Sequence, residues 1–359
     1  MNKKPIIGIT LGDPAGIGSE ITAKMLTNEN IEEKCIPVII GDLKVVKQGF
    51  GIIGSDKELT VLDAKLGDNI LDNLEPGKAY VYDLNNIELE DYTFGEISAK
   101  AGKASGEFIE TAIRLAKNRK IDAIVTNAIN KESFALGGYG KKYTGHTEML
   151  ADLTNTKKYA MMLACGNLRI LHVTTHVSLR DAIEKLITKE RIIDVIKLAN
   201  DTCHQLGIKK PKVGVAGLNP HSGEQGLLGD EEGKIISPAI EEAKQLGINA
   251  EGPVPPDTLF CKAKGGMYDA CVAMYHDQGH IPAKLAGFIY DENSDSWTMR
   301  GVNITLGLPI IRASVDHGTA FGKAGKGKAD YQSLLEALDY AVKMANVKKQ
   351  NQKQNETQE

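Results

Sequence analysis

Ile6-Ile7-Gly8-Ile9-Thr10 leads into Gly12-Asp13-Pro14-Ala15-Gly16-Ile17-Gly18 and then into a segment of helical period over residues 19–26. A β-branched run, a glycine-rich turn and an amphipathic stretch read as strand, loop and helix, with Ser19 as a possible cap. The same alternation recurs along the chain. Strands are expected at residues 6–10, 38–40, 123–126, 160–163, 169–174, 212–218, 270–274 and 303–305. Helices are expected at 19–26, 106–117, 179–187, 190–206, 234–246 and 331–346. This pattern predicts an α/β protein with mainly parallel strands. In the helix from Gly106, Phe108, Ala112, Leu115 and Ala116 share one face that would pack on a sheet.

The 359 residues suggest about two domains at roughly 150 residues each. Hydrophobic residues make up 42% and charged residues 25%, enough for a sizeable core. A net charge of −4, from 43 basic and 47 acidic residues, gives no general attraction to nucleic acid or to an anionic membrane. An anion must then be recognised locally. The N-terminal apolar run is too short for a signal peptide, and no stretch reaches the ~18 apolar residues of a membrane helix, so a soluble, cytoplasmic protein is expected. Cys35, Cys165, Cys203, Cys261 and Cys271 show no metal or disulfide spacing and read as small buried hydrophobes in a reducing compartment. Residues 347–359 have almost no apolar content and are expected to be disordered. Residues 291–296 are acidic and polar and precede Trp297, which reads as an exposed loop or flap.

Of the eight histidines, three stand where an apolar run ends and a turn or helix begins. They are His176 in Val173-Thr174-Thr175-His176, His221 in Leu218-Asn219-Pro220-His221, and His276 in Met274-Tyr275-His276-Asp277-Gln278-Gly279. In a parallel sheet the carboxyl ends of the strands open onto one crevice, so these rings can converge. Three neutral imidazoles make a divalent-metal site with coordination positions left for a ligand. Any one of them alone is more often a satisfied or solvated ring, and it is the three together at strand ends that favour the metal reading. Asp257 and Asp277 are candidates to orient those rings, or else turn and cap residues.

His146, in Tyr143-Thr144-Gly145-His146-Thr147-Glu148, opens a helical run whose backbone amides would favour an anion. Lys284 and Arg312 each stand in an otherwise apolar stretch, where a cation either snorkels or meets an anion; together with a helix start they would suit a phosphate. The loop from Gly12 to Gly18 is neither GxGxxG nor a phosphate-binding P-loop. A second glycine-rich stretch, Asp316-His317-Gly318-Thr319-Ala320-Phe321-Gly322-Lys323-Ala324-Gly325-Lys326-Gly327, would let backbone approach a flat ligand, or serve merely as a mobile loop.

Taken together, GDPAGIG at Gly12, TGHTE at Thr144, TTH at Thr174, LNPHSGE at Leu218, PPDTLF at Pro255, AMYHDQGH at Ala273 and VNITLGLPIIRASVDHGTA at Val302 make the chain resemble the 4-hydroxythreonine-4-phosphate dehydrogenase family, from about Pro5 to about Ala345. The resemblance implies two α/β/α domains with mainly parallel sheets, akin to isocitrate and isopropylmalate dehydrogenases. One domain would comprise residues 1–130 and 301–346, with both termini and the cofactor loop. The other, 131–300, would hold the metal and substrate residues and the dimer interface. It implies a homodimer with active sites in interdomain clefts at the subunit interface. His176, His221 and His276 would bind one divalent ion: zinc first, with magnesium, cobalt and manganese as alternatives. His146, Thr147, Lys284, Asn303 and Arg312 would contact a phosphorylated substrate. His317, Gly318, Thr319 and Gly325, with Gly12, would contact NAD or NADP.

The implied reaction is oxidation of a hydroxyl-bearing carbon to a β-keto acid, followed by decarboxylation, with Lys284, Asp277 or Asp257 as proton-handling candidates. Two departures stand out: Ser19 where the family has proline, and an insertion over residues 289–300. The latter, with His280 after YHDQG, leans toward the branch acting on threonate or erythronate 4-phosphate rather than the vitamin B6 branch. The competing readings are a metal hydrolase or lyase without NAD and a non-catalytic metabolite binder. The DHGTA loop speaks against the hydrolase.

Overall fold

The computed structural model describes residues 4–292 and 296–358, and the chain divides into two compact units, Met1–Lys157 with Leu308–Glu359 and Lys158–Gly307. In the first unit six strands run in the order β3-β4-β2-β1-β5-β14, every neighbouring pair parallel. They are β1 (Ile6–Thr10), β2 (Ile36–Gly41), β3 (Thr60–Asp63), β4 (Tyr80–Asp83), β5 (Ala123–Thr126) and β14 (Ile311–Val315). β1, β2 and β5 are buried at every position, as parallel strands covered on both faces must be, and that is why they read as unbroken apolar runs. The helix Ala99–Lys117 lies on β1, β2 and β5 and buries Phe108, Ala112 and Leu115 completely. It starts at Ala99 rather than 106 because the Ser98 side chain accepts from the Ala101 N–H and caps it there.

The helix Gln332–Gln358 lies on β14, β5 and β1. It continues through residues 347–358, where disorder is expected from composition. Extending a helix already nucleated by buried Leu334, Leu338, Ala341 and Ala345 costs far less than starting one. Lys349 also pairs with Asp122 at 2.7 Å and donates to the Lys4 carbonyl at 3.4 Å.

The second unit orders its strands β13-β6-β7-β10-β8-β9. These are β6 (Ala160–Cys165), β7 (Leu168–His172), β8 (Val213–Ala216), β9 (Ala250–Val254), β10 (Ala270–Ala273) and β13 (Val302–Leu306). β7, β10, β8 and β9 are parallel, whereas β6 is antiparallel to both β7 and β13. The helix Lys189–Gln205 packs on β7, β8 and β10, and the helix Ser237–Gln245 on β9. Two further helices, Pro256–Lys264 and His276–Gly287, cover β8, β10, β7 and β6. Leu163, Ile170, Leu259, Phe260 and Cys271 belong to the core this encloses. β11 (Phe288–Asp291) and β12 (Ser296–Met299) form an antiparallel ribbon. At the ends of the expected loop over 291–296, Asp291 and Ser296 are paired across that ribbon, and residues 293–295 lie outside the described ones.

The division between units falls at 157/158 and 307/308, against the expected 130/131 and 300/301. The helix His146–Leu153 packs on Ala99–Lys117 and stays with the first unit, and β13 is hydrogen-bonded along β6 and stays with the second. Cys35, Cys203 and Cys271 are buried and burial pushes each thiol up to about 12, whereas Cys261 is exposed, contrary to expectation; all five cysteines are free. No described helix is long and apolar enough to cross a membrane.

Because Phe108 is fully enclosed beneath the first unit's sheet, Phe108→Ala should lower the free energy of unfolding by about 3–5 kcal/mol. Urea unfolding measures it, and a loss below about 1 kcal/mol would contradict this packing.

Candidate active site

In the second unit β7 and β10 are register-matched parallel neighbours, His172 opposite Ala273, so both chains leave the sheet at one level. The loop after β7 carries Thr174, Thr175 and His176; Tyr275 and His276 follow β10. Val173 N–H donates to the Ala273 carbonyl at 2.8 Å, and the Thr174 hydroxyl to the Met274 carbonyl at 2.9 Å, which ties the loops together. Gln278 accepts from Met274 N–H at 2.7 Å and donates to the Gly217 carbonyl at 2.8 Å, linking the ends of β10 and β8. Between the two loops lies a pocket of about 390 Å³ whose lining includes His176, Ser178, Tyr275, His276 and Asp277.

The His176 and His276 ring centroids are 5.7 Å apart. Two imidazoles on one tetrahedral cation, at about 2.0–2.1 Å per bond, hold their centroids roughly 5 Å apart, so this pair suits a shared ion. His276 Nδ1 meets Asp277 Oδ1 at 2.6 Å, which places the ring hydrogen on Nδ1 and leaves Nε2 as the atom that could hold an ion.

His221 leaves the carboxyl end of β8, as its position after an apolar run implies, but in a turn where residues 221–225 all have positive φ. Its side chain is 69% exposed, with Glu224 at 4.0 Å. Among the described residues no three His, Cys, Asp or Glu side chains are grouped closely enough to hold a metal ion. The expected trio is thus present as a pair, and His221 is the member not drawn in.

The remaining candidates of this unit are placed as follows. Asp257 is exposed in the first turn of Pro256–Lys264, near its neighbour Thr258, the position of a helix-start carboxylate. Lys284 is half-buried in the last turn of His276–Gly287, two helical turns beyond His276. Asn303, on β13, donates from its side chain to Met161 Sδ at 3.2 Å.

In the first unit β5 and β14 are parallel, and Arg312 Nη2 donates to Thr126 Oγ1 at 2.8 Å. Arg312 is only 4% exposed, and burial lowers its guanidinium to about 10. His146 is the first residue of the helix His146–Leu153, its Nε2 buried without a hydrogen-bond partner among the described residues. Burial, then the positive charges of Arg312 and Lys131, holds this imidazole well below its usual value, so it is neutral at pH 7. Thr147 follows on the same helix, half-buried. A neutral imidazole near two cations at a helix start is an anion-receiving arrangement.

The two glycine-rich loops, far apart in sequence, meet in this unit. Ile17 N–H donates to the Thr319 carbonyl at 3.1 Å. Gly12 has φ +73° and a Cβ there would run into the Ala128 carbonyl, so no other residue fits without displacement. Gly318 is exposed with nothing near where a Cβ would stand, and a flat ligand can approach its backbone. His317 Nδ1 lies 2.8 Å from the Gly318 carbonyl, while Gly325 rests against Phe94.

Sequence reasoning passed over Lys131 and Asp13. Lys131 follows the carboxyl end of β5, where Asn130 caps a short helix, and that position was the available signal. Asp13 lies inside GDPAGIG, buried, accepting from Ala15 N–H at 2.9 Å.

The sequence matches, over residues 33–341, the family described as pyridoxal phosphate biosynthetic protein PdxA. The chain belongs to this family. A protein of Oceanobacillus iheyensis, provisionally named D-threonate 4-phosphate dehydrogenase, is 49% identical over 350 residues, covering 97% of this chain and 100% of that protein. The D-threonate 4-phosphate dehydrogenase of Cupriavidus necator is 45% identical over 343 residues, covering 95% and 97% of the two chains. Among solved structures, 4-hydroxythreonine-4-phosphate dehydrogenase of Klebsiella pneumoniae superposes with a TM-score of 0.81 at 39% identity, covering 96% of this chain and 99% of that one. The PdxA-family fold, two α/β units with mainly parallel sheets, is therefore that of this chain.

Burial raises the Asp13 carboxyl to about 6, against 3.8 when unfolded. The native state then holds one more proton than the unfolded chain between these values, so stability falls as pH rises from about 4 to 6. Asp13→Asn should remove that loss. Urea-unfolding free energies at pH 4.5 and 6.5 should show the variant gaining on the parent protein; parallel changes in both would refute it.

Proposed function

We propose that this family member is an NAD- or NADP-linked dehydrogenase of D-threonate 4-phosphate, or of its erythronate counterpart, that oxidises and decarboxylates its substrate with the help of a divalent metal ion. The observation that carries the reading is the near-full-length identity, 45%, to the D-threonate 4-phosphate dehydrogenase of Cupriavidus necator. The geometry of each unit supports it. His176 and His276 would hold the ion, with His221 as third ligand once its turn swings inward; zinc comes first, then magnesium, cobalt or manganese. His146, Thr147, Lys131 and Arg312 would receive an anionic group of the substrate: neutral His146 contributes hydrogen bonding, and the two cations contribute charge. Lys284 and Asn303 would also contact the substrate. The loop of Gly12 and that of His317, Gly318, Thr319 and Gly325 would cradle the nicotinamide cofactor.

Held by those loops, a nicotinamide cofactor would supply a hydride acceptor for the carbon β to the carboxylate. Held by the histidines, a divalent ion would supply Lewis acidity toward substrate oxygen, which favours oxidation to the ketone and loss of carbon dioxide. The chain's own groups orient the substrate and take up the hydroxyl proton, for which Lys284, Asp277 and Asp257 are the candidates. Atom counting gives a three-carbon ketone phosphate, carbon dioxide and reduced cofactor. With D-threonate 4-phosphate, NAD(P)H absorbance should rise and a chelator should abolish the rise. Arg312→Met should lower kcat/KM at least tenfold, and His221→Ala should weaken metal binding as His176→Ala does. A clear kcat/KM preference for 4-phosphohydroxythreonine would overturn the substrate assignment, and unchanged turnover in Lys284→Ala would remove that lysine as proton acceptor.

The proposed assembly is a homodimer in the cytoplasm. The helix His276–Gly287 and the ribbon after it expose Ile281, Leu285 at 77%, Phe288, Ile289 and Tyr290, a run of large apolar groups such as a second copy would cover. Leu285→Asp should convert a dimer into a monomer in light-scattering measurements. A parent protein of monomer mass would refute the assembly.

A further inference from the structure

Beside the His176–His276 pair the second unit holds two more histidines that sequence reasoning gave no chemical role. His172, the last residue of β7, is completely buried. Its Nδ1 lies 3.4 Å from the Met161 carbonyl and its Nε2 3.1 Å from His280 Nδ1. His280 Nδ1 is also 3.0 Å from the carbonyl of His276, one helical turn earlier. The His280 ring lies flat on that of His276, with centroids 3.6 Å apart and planes at 12°. The four groups form a continuous column from the interior of the sheet to the pocket.

The hydrogens in this column follow from its acceptors. A carbonyl oxygen can only accept, so His280 Nδ1 must carry the hydrogen where it faces His276 O. The same N–H points at His172 Nε2, which then accepts, leaving the His172 hydrogen on Nδ1 toward Met161 O. Burial keeps His172 neutral, with its value lowered to about 3. Both rings are therefore fixed as Nδ1–H tautomers by the protein alone. Gly279 makes the approach possible, since a Cβ there would run into His172 Nε2.

We infer that His172 and His280 form a positioning strut that fixes the ring plane of His276 by stacking, without binding the ion themselves. The inference rests on His276 being a metal ligand, as proposed above. Stacking itself argues against coordination by His280. An imidazole binds a cation in its own plane, and two nearly parallel stacked rings with centroids 3.6 Å apart cannot both hold one ion in plane at about 2 Å from each ring. Partners that orient a ligating histidine typically change metal affinity tenfold to hundredfold when removed.

Two measurements on the full-length protein test this. In the metal-free protein, long-range 1H–15N correlation spectra should show His172 and His280 with hydrogen on Nδ1 rather than Nε2; hydrogen on Nε2 of either ring overturns the strut. In cobalt(II) titrations the parent protein should bind one ion per chain and His276→Ala should lose it. His280→Ala should bind about tenfold to hundredfold more weakly with a shifted visible spectrum, and His280→Phe, which keeps a flat ring against His276, should recover most of the affinity. Unchanged affinity and spectrum in His280→Ala overturn the proposal. So does a His280→Phe variant as weak as His280→Ala, which would make His280 a ligand. Absence of cobalt binding by the parent protein would instead overturn the metal reading of His276, while the tautomer spectra still decide the strut.

Discussion

Parallel pairing of β7 with β10 and of β10 with β8 is the constraint on which the second unit's chemistry depends. Strands in matched parallel register end together, and wherever a ladder ends, its last backbone donors and acceptors need new partners. Gln278 meets that need at one point. Its amide carries both a donor and an acceptor, so it takes the Met274 N–H and satisfies the Gly217 carbonyl at once. A carboxylate could accept the first but not donate to the second. The loops bearing His176 and His276 are therefore held by backbone accounting that holds before any ligand arrives, and the pocket between them is preformed.

The first unit uses the same strand-end geometry for a different electrostatic purpose. Lys131 leaves the end of β5, and Arg312 lies on β14 with its guanidinium on Thr126 at the end of β5. Burial, and then these two charges, deny His146 a proton. A protonated ring there would add a third positive charge beside the buried guanidinium of Arg312. A neutral ring keeps one donor and one acceptor, which can discriminate among oxygens of a bound anion in a way that a further charge cannot.

Much of this was legible because buried parallel strands and apolar runs are nearly the same thing. β1 and β5 fall on their expected residues, and the three histidines that end apolar runs do stand beyond β7, β8 and β10. β14 escaped because Arg312 interrupts its apolar pattern. β3 is exposed, and β9 contains Gly252 and Pro253, so neither carries the signature of a covered parallel strand. Spacing could say that His176, His221 and His276 leave one edge of a sheet, but not how far each loop then travels. The positive φ angles of residues 221–225 take His221 into solvent, a loop conformation with no periodic trace in sequence. His172 was hidden for the opposite reason. Inside a strand, a histidine reads as one more core position, and its link to His280 spans more of the chain than any local pattern can reach.

The buried cation of the first unit connects ligand binding to the stability of the fold. Lowered to about 10, Arg312 is still protonated at neutral pH, so the folded chain retains a charge that water would otherwise solvate. Part of that desolvation is offset by the Thr126 hydroxyl, which accepts from its Nη2. An anion bound beside Arg312 and Lys131, as proposed, would add an opposite charge. Because the unfolded chain has no such cluster, whatever free energy the anion gains there is added to the stability of the native state, growing with the logarithm of its concentration above the dissociation constant. The same burial that weakens the guanidinium's tie to its proton thus makes its attraction for an oxyanion stronger than the same pair would have in water. Recognition at this cluster and the integrity of the β5–β14 edge are two readings of one electrostatic balance.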